Sequence, residues 1–391
     1  PRNFPANQGG LCRKGWTSTQ LLTNGRRLTQ PLMRATRSEE LTPCSWEDAL
    51  SRVTHAVRTT QETHGRDAVG VFGGGGLTNE KAYLLGKFAR VALRTAMIDY
   101  NGRFCMSSAA TAAGRAFGLD RGLPFPVEDI AHTDLVLLAG ANVAETMPPI
   151  MRHFAALRAN GGRLIVVDPR RTLTAEQADL HLQPLPGTDL ALANGLLHLV
   201  IEQGYVDAEF VHARTSGFAG VRMSARAYWP ERVERLTGVP VSAMRTTVDW
   251  LGAARSVMVL TARGAEQHAT GTDTVLSFVN LALALGQAGR PFAGYGAITG
   301  QGNGQGGREH GQKADIVEGI GNLLRDGLGI FHLLARQPRR NDGAAQDMVF
   351  VDILRRIVSR ELSVRAANGN DRSFKVEGNE LLKNCRYGFE G

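Results

Sequence analysis

The sequence predicts an α/β protein with doubly wound parallel sheets. Three nearly continuous apolar segments, 134–140, 164–167 and 256–260, have the length of strands, and unbroken apolar runs are typical of parallel strands covered on both faces. The segments between and after them have helical periodicity. Strands that alternate with helices favour a parallel sheet between helical layers. At 391 residues the chain is long enough for two or three domains.

A strand, a glycine loop and a helix are predicted ahead of these segments. The helix that opens at Ser45 has a capping-box pattern, with Asp48 three residues on. A short buried strand over 68–72 leads into four consecutive glycines at 73–76, and another helix starts at Thr78. This order can present backbone N–H groups to an anion, although many such loops are only tight turns.

Cys105 is the candidate reactive residue. It lies in the segment NGRFCMSSAA, between a predicted strand end and a helix for which Ser107 and Ser108 suit the N-cap. The start of that helix and the neighbouring Arg103 would both stabilise a thiolate. A thiolate can attack a substrate or bind a soft metal. The alternative is a small buried apolar residue, as most single cysteines are.

Polar residues follow the predicted strands at their carboxyl ends, where doubly wound sheets bind ligands. They are Asn142, Asp168, Arg170 and Asp189. Residues 205–250 predict a mostly helical segment. The segment 294–311 has eight glycines among eighteen residues, which predicts a loop without regular structure. Its specific polar groups, among them Gln301 and Arg308, favour a loop that wraps a ligand over a flexible linker.

The composition is that of an ordinary globular protein, with 43% hydrophobic and 21% charged residues. The net charge is +8, but the arginines are scattered and aromatic residues make up only 6% of the chain. Neither a basic groove nor a base-stacking platform is indicated. We therefore predict no nucleic-acid partner.

Cysteine usage and hydropathy predict a cytoplasmic protein. Cys12, Cys44, Cys105 and Cys385 are widely spaced and form no CxxC pair. This pattern fits a reducing compartment and argues against a disulfide scaffold. No apolar run reaches the roughly 18 residues of a membrane-spanning helix, so no membrane partner is expected.

Dispersed motifs in a common order carry a family resemblance. They are GGLCRKGW, GGGGLTNEKAYLLGKFAR, NGRFCMSSAA, DRGLPFPVEDI, GANVAETMP, VVDPRRT, PLPGTDLALANGLL, GAEQHATGTD and GQGNGQGGREHGQKAD. Together they resemble, over about residues 1–315, the molybdopterin oxidoreductases that use a bis-molybdopterin guanine dinucleotide (bis-MGD) cofactor. Within that family the motifs resemble those of the bacterial assimilatory nitrate reductases.

The resemblance implies oxygen-atom transfer, in which reduced molybdenum takes an oxygen from nitrate and nitrite is released. Cys105 would supply a thiolate to molybdenum. Met106 would line the nitrate pocket. Formate dehydrogenases of the family typically have histidine at this position, so Met106 favours nitrate as the substrate. Cys12 would be the last of four ligands to a [4Fe–4S] cluster, with Lys14 between cluster and pterin on the electron path. A ferredoxin, a flavodoxin or an NADH-linked reductase would donate the electrons.

The resemblance also implies which residues contact the guanine dinucleotide arms of the cofactor. They are Asn142, Asp168, Arg170, Pro186, Gly187, Asp189, Gly264, His268, Gln301 and Arg308.

The implied domains follow the family. They are a remnant of an iron–sulfur domain (1–45), an α/β molybdopterin domain (46–104 with 290–315), a Rossmann-like molybdopterin domain (105–289) and an unassigned helical tail (316–391). Two departures accompany this division. No cysteine precedes Cys12, so the other three cluster ligands are missing. The resemblance is expected to end near Asp315, without the C-terminal β-barrel of the family.

Two other functions stay open. A formate dehydrogenase-like enzyme, or another oxyanion reductase of the same family, would share most of the motifs, and Met106 argues against the former. A truncated, non-catalytic α/β binding protein would explain the missing cluster ligands and the unmatched C-terminal segment.

Overall fold

The computed structural model describes residues 8–119 and 122–312. Its strands are β1 (Leu32–Met33), β2 (Thr42–Pro43), β3 (Val71–Gly73), β4 (Ile98–Tyr100), β5 (Leu135–Ala139), β6 (Arg163–Val167), β7 (Leu180–Leu182), β8 (Val257–Thr261) and β9 (Gly294–Ala297). The helices of the first half are α1 (Arg13–Thr17), α2 (Gln20–Thr23), α3 (Trp46–His64), α4 (Asn79–Lys87), α5 (Gly102–Cys105), α6 (Ser107–Phe117), α7 (Val143–Thr146) and α8 (Met151–Ala159). Those of the second half are α9 (Asp189–Glu202), α10 (Ala208–Arg214), α11 (Phe218–Ala225), α12 (Pro230–Thr237), α13 (Val241–Ala253), α14 (Arg263–Glu266), α15 (Gly271–Ala284) and α16 (Gly304–Glu309). The helices predicted within 316–391 lie outside the described residues.

A five-stranded parallel sheet is the centre of the fold. Its strand order is β7-β6-β5-β8-β9, so the chain order reverses between β5 and β8. This is the topology of a doubly wound sheet, and the reversal is the point where such sheets bind ligands. The predicted fold class and the three predicted strands are confirmed. The helix predicted just before His181 is wrong, because the chain forms only a 3₁₀ turn there before the edge strand β7.

Both faces of the sheet are covered by helices. Leu135 and Leu137 of β5 pack with residues of α9 and α15 on one face. Val136 and Leu138 of the same strand pack with residues of α8 on the other face. Because successive side chains of a strand point to opposite faces, a strand buried twice must be apolar throughout. This explains the unbroken apolar runs of the sequence.

The segment before Cys105 forms a second, smaller sheet of two parallel strands, β3 and β4. The capping box at the start of α3 is confirmed, since the Ser45 hydroxyl oxygen accepts the Asp48 backbone N–H at 3.0 Å. The buried strand predicted over 68–72 is wrong in part. The strand starts at Val71, and the Phe72 side chain is 61% exposed.

The glycine-rich segment is more regular than predicted. Strand β9 and helix α16 lie within 294–311, so the expectation of a loop without regular structure is wrong. Its glycines allow close packing rather than looseness: a Cβ on Gly296 would lie 2.5 Å from the Leu123 side chain, and one on Gly307 2.9 Å from the Tyr100 ring. Among the described residues, none of the helices is long and apolar enough to span a membrane.

Candidate functional site

Cys105 lies at the junction of two helices. Helix α5 ends at Cys105, and Met106 is the N-cap residue of α6. The predicted serine N-cap is wrong, because the Ser107 hydroxyl instead donates to the carbonyl oxygen of Phe104. Cys105 is half-buried, and α6 packs against α15. The helix therefore fixes Cys105 against the larger sheet, close to the partial positive charge at the start of α6.

Met106 is buried beside Cys105. Its side chain is 5% exposed and lies in a small apolar cluster with Ala109 and Ala297. The cluster joins α6 to strand β9, so it makes one side of the Cys105 environment apolar.

The arginine next to the Cys105 sulfur is Arg263, which sequence reasoning missed. Arg263 Nη1 lies 3.6 Å from Cys105 Sγ. Arg103, which the sequence suggested as a partner of the thiolate, donates instead from Nε to the buried carboxylate of Asp99 at 3.1 Å. Arg103 Nη2 is buried without a hydrogen-bond partner among the described residues. The available signal for Arg263 was its place just after an apolar strand, at the ligand-binding edge.

Arg263 is held by a buried polar network. Its Nε and Nη2 donate to Oε2 of Glu266 at 3.0 and 2.7 Å, and Nη2 also donates to the carbonyl oxygen of Ile298. Glu266 is 1% exposed, and its Oε1 accepts the Thr261 hydroxyl at 2.8 Å. Burial raises the pKa of Glu266, while the charge of Arg263 acts in the opposite direction. Burial likewise raises the pKa of Tyr295, whose hydroxyl lies 2.8 Å from that of Thr261.

The glycine loop 73–76 is anchored from inside the protein. The N–H of Gly74 donates to Gln312 Oε1 at 3.0 Å, and the N–H of Gly75 donates to Asn101 Oδ1 at 2.8 Å. These two amides are therefore not presented to an anion, as the sequence pattern had suggested. A Cβ on Gly73 would lie 1.9 Å from Gln312 Oε1, which explains the glycine there. The loop instead holds Asn101, four residues before Cys105.

Five of the residues predicted to bind the cofactor meet at the carboxyl edge of the larger sheet or bond to residues there. Asp168 and Asp189 are 6% and 4% exposed. His268 Nε2 lies 2.6 Å from the Gly264 carbonyl oxygen and 3.9 Å from Asp189 Oδ2. Burial raises the pKa of Asp189, and the Asp168 charge adds to this, whereas His268 lowers it. Asn142, at the end of β5, accepts the Thr174 hydroxyl at 2.9 Å.

Arg170 is a sixth predicted residue at this edge, and the remaining four are more dispersed. Arg170 donates its backbone N–H to Asp168 Oδ1 at 2.8 Å, which places it at the same edge. Pro186 and Gly187 are exposed in the turn before α9. Gln301 lies against the glycine loop, because a Cβ on Gly75 would be 2.3 Å from Gln301 Oε1. Arg308 lies in α16, and its charge lowers the pKa of Tyr100, which burial raises more strongly.

Cys12 and Lys14 lie in the N-terminal segment. Cys12 is the N-cap residue of α1, and backbone N–H groups of Gly15 and Lys14 lower the pKa of its thiol. Among the described residues, no hydrogen bond or ion pair joins Cys12 or Lys14 to Cys105. Within residues 8–119 and 122–312, no group of three or more His, Cys, Asp or Glu side chains is arranged to hold a metal ion.

Asp189→Asn is expected to stabilise the cofactor-free chain at neutral pH. Because burial raises the pKa of Asp189, the folded state binds its proton more tightly than the unfolded state, where the pKa is about 3.9. The free energy of unfolding therefore decreases as pH rises from the pKa of Asp189 in the unfolded state to its higher pKa in the folded state. Asparagine, which does not ionise, removes this loss. The Tm difference between variant and wild type should be near zero at about pH 4 and positive at about pH 7.5.

The matched control is Asp249→Asn on the exposed face of α13. A surface change of this kind is expected to stay within about 0.5 kcal/mol at either pH. An Asp189→Asn chain that is less stable at neutral pH would show that the carboxylate is needed for the fold.

The chain is similar in sequence and in fold to known proteins. A sequence model of the family described as molybdopterin oxidoreductase matches residues 27–370. The match runs past Asp315, so the expected end of the resemblance was too early. The chain is 47% identical over 319 residues to the assimilatory nitrate reductase catalytic subunit of Bacillus subtilis (strain 168), which covers 82% of this chain and 45% of that protein.

Two further relatives widen the comparison. The chain is 35% identical over 320 residues to formate dehydrogenase H of Escherichia coli (strain K12), covering 80% of this chain and 44% of that protein. The structure of acetylene hydratase from Pelobacter acetylenicus superposes with a TM-score of 0.60 at 22% identity, over 71% of this chain and 38% of that chain, and shows the same fold. The chain spans less than half the length of these relatives. With the family model covering most of its residues, the chain belongs to the molybdopterin oxidoreductase family.

Proposed function

We propose that the chain is the catalytic core of a molybdenum-dependent nitrate reductase, which reduces nitrate to nitrite with a bis-MGD cofactor. One observation carries the proposal. The half-buried sulfur of Cys105 lies beside the Arg263 guanidinium, at the end of the doubly wound sheet where Asp168 and Asp189 also lie. A soft donor and a cation at this edge suit a metal that acts on an anion.

The residues present fit the cofactor that the family implies. Cys105 offers the thiolate that a soft metal prefers. The Asp168 carboxylate follows the second strand of the doubly wound order, where an acidic residue typically accepts hydrogen bonds from a ribose. Asp189 would accept N–H donors of the guanine base, and the buried, unpaired Nη2 of Arg103 would donate to a polar group of the pterin.

Three side chains of this chain, those of Cys105, Met106 and Arg263, would have separate roles around the cofactor. When bound, the molybdenum cofactor supplies oxygen-atom transfer. Cys105 holds it, Met106 and its apolar neighbours keep water away from one side of the sulfur, and Arg263 contributes positive charge. The name of the 47% identical relative and methionine in place of histidine at 106 both favour nitrate over formate.

We further propose the electron route and location. Cys12 would supply one ligand to a [4Fe–4S] cluster, with Lys14 following it on α1. Electrons would come from a ferredoxin, a flavodoxin or an NADH-linked reductase in the cytoplasm.

The test uses the full chain purified from a host that makes the cofactor. Molybdenum and released guanine nucleotide are measured per protein, and nitrate reduction and formate oxidation are assayed with artificial electron carriers. Near-stoichiometric molybdenum with nitrite formation is the expected result. Formate oxidation without nitrate reduction would select the formate dehydrogenase-like alternative. A folded chain that contains no molybdenum would favour the alternative of a non-catalytic α/β binding protein.

A further inference from the structure

We propose that Arg263 binds and orients the anionic substrate beside Cys105, and that Glu266 is its positioning residue. The identity of the anion as nitrate rests on the proposed function, but the cationic site itself rests on the contacts of Arg263.

The hydrogen bonds of Arg263 leave one donor available. Its guanidinium carries one N–H on Nε and two on each Nη. Nε and both hydrogens of Nη2 are used by Glu266 and the Ile298 carbonyl. Nη1 has one contact among the described residues, to Cys105 Sγ at 3.6 Å. Its second N–H is therefore free to donate to an anion that lies next to the sulfur.

The surroundings of Arg263 fix its direction. Glu266 is 1% exposed and is itself held by the Thr261 hydroxyl, so it cannot swing away from the guanidinium. The Arg263 side chain is 23% exposed, which leaves its free edge open to a ligand. The Glu266 carboxylate partly neutralises the charge of Arg263. The remaining N–H of Nη1 is nevertheless a fixed, partly desolvated donor, and charge-assisted hydrogen bonds from such a donor to an anion are strong.

Arginine is required here for a geometric reason. Three nitrogens in one plane contact Glu266, the Ile298 carbonyl and Cys105 together. The single ammonium of lysine cannot reproduce this fork. If Arg263 served only to hold helix α14, its replacement would change the stability of the fold without changing the relative rates at which anionic and neutral reagents react with Cys105.

The first test measures charge at Cys105 directly on the cofactor-free chain. Iodoacetate, which is anionic, and iodoacetamide, which is neutral, both alkylate a thiolate, so the ratio of their rates cancels the thiolate fraction. The ratio is measured by mass spectrometry of the peptide that contains Cys105. In Arg263→Gln we expect it to fall about fivefold, the effect of one unit charge at about 4 Å in water. The ratio at Cys44 in the same sample is the internal control.

A second variant covers the case in which Arg263→Gln fails to fold with Glu266 left unpaired. The double variant Arg263→Gln with Glu266→Gln removes both charges and keeps a hydrogen-bonding pair in place. A fall in the ratio at Cys105 in the same direction is expected, but a smaller one than in Arg263→Gln, because the negative charge of Glu266 is lost together with the positive charge of Arg263. An unchanged ratio in either folded variant would overturn the inference.

The second test uses the loaded enzyme. Arg263→Lys should raise KM for nitrate about tenfold or more with a smaller change in kcat, because the charge stays while the oriented donor is lost. A loss confined to kcat, with KM for nitrate unchanged, would contradict a binding role for Arg263. If the alkylation ratio is lowered in Arg263→Gln but the loaded wild type does not reduce nitrate, the proposed function is contradicted and the anion site is supported. Nitrate reduction by the wild type, with the alkylation ratio unchanged in Arg263→Gln and KM unchanged in Arg263→Lys, would support the proposed function and overturn the anion site.

Discussion

Cys105→Ala is expected to lower nitrate reduction by on the order of 10²–10³-fold, the scale seen when a group acting at the reacting centre is removed. The half-buried thiol contacts Arg263 across the site, and alanine offers no soft donor to molybdenum. Molybdenum per protein should also fall after gel filtration. Because the side chain is small and partly exposed, the free energy of unfolding should change by less than about 1 kcal/mol.

The matched control for this change is Cys44→Ala. Cys44 is also a half-buried free thiol, but it follows the small β1–β2 hairpin rather than the ligand edge of the sheet. Its replacement should leave both molybdenum content and nitrate reduction unchanged. Wild-type activity in Cys105→Ala, or an equal loss in both variants, would contradict the assignment of Cys105 to the metal.

Gly140→Ala is expected to destabilise the fold by about 3 kcal/mol or more, through a left-handed backbone and steric overlap together. Gly140 follows strand β5 with φ +70°, and an added Cβ would lie 2.2 Å from the backbone N of Ala265. The opposing atoms belong to the backbone of Gly264 and Ala265, so no side chain can move aside. The shift in denaturation midpoint measures the effect.

Gly161→Ala separates the two contributions. Gly161 has φ +84° but no atom within 4 Å of an added Cβ. Only the conformational cost should appear there, about 1–2 kcal/mol. Equal destabilisation at both positions would show that the close approach of Gly140 to Gly264 does not limit the packing of strands β5 and β8.

The buried strands and the helix start at Ser45 were predictable because their causes are local. A strand covered on both faces must be apolar at every position, as in β5. A serine cap needs only the backbone three residues ahead. Strand β7 was missed because three residues are too few to set a period. Strand β9 was missed because its glycines indicated a loop, although close packing on Leu123 requires them.

Sequence reasoning named Arg103 beside Cys105 and missed Arg263, because only Arg103 is close to Cys105 in the sequence. Residues two apart in a helix do not face each other. Arg103 Nε instead donates to Asp99, which lies in strand β4 before helix α5 begins. The sequence was nevertheless sufficient to place Asp168 and Asp189 at the ligand edge, since each follows from the strand and helix pattern.

The sequence by itself determined the α/β class, the doubly wound order of strands and helices, and Cys105 as the candidate centre. These properties depend on periodicity and on residue types over short stretches. Only the tertiary structure decided that Arg263 contacts Cys105 across a separation of 158 residues, and that Asn101 and Gln312 occupy the glycine loop. Such contacts exist because parallel pairing sets β8 beside β5 and α6 packs on α15. Distant polar atoms then meet at one edge, which local sequence patterns do not encode.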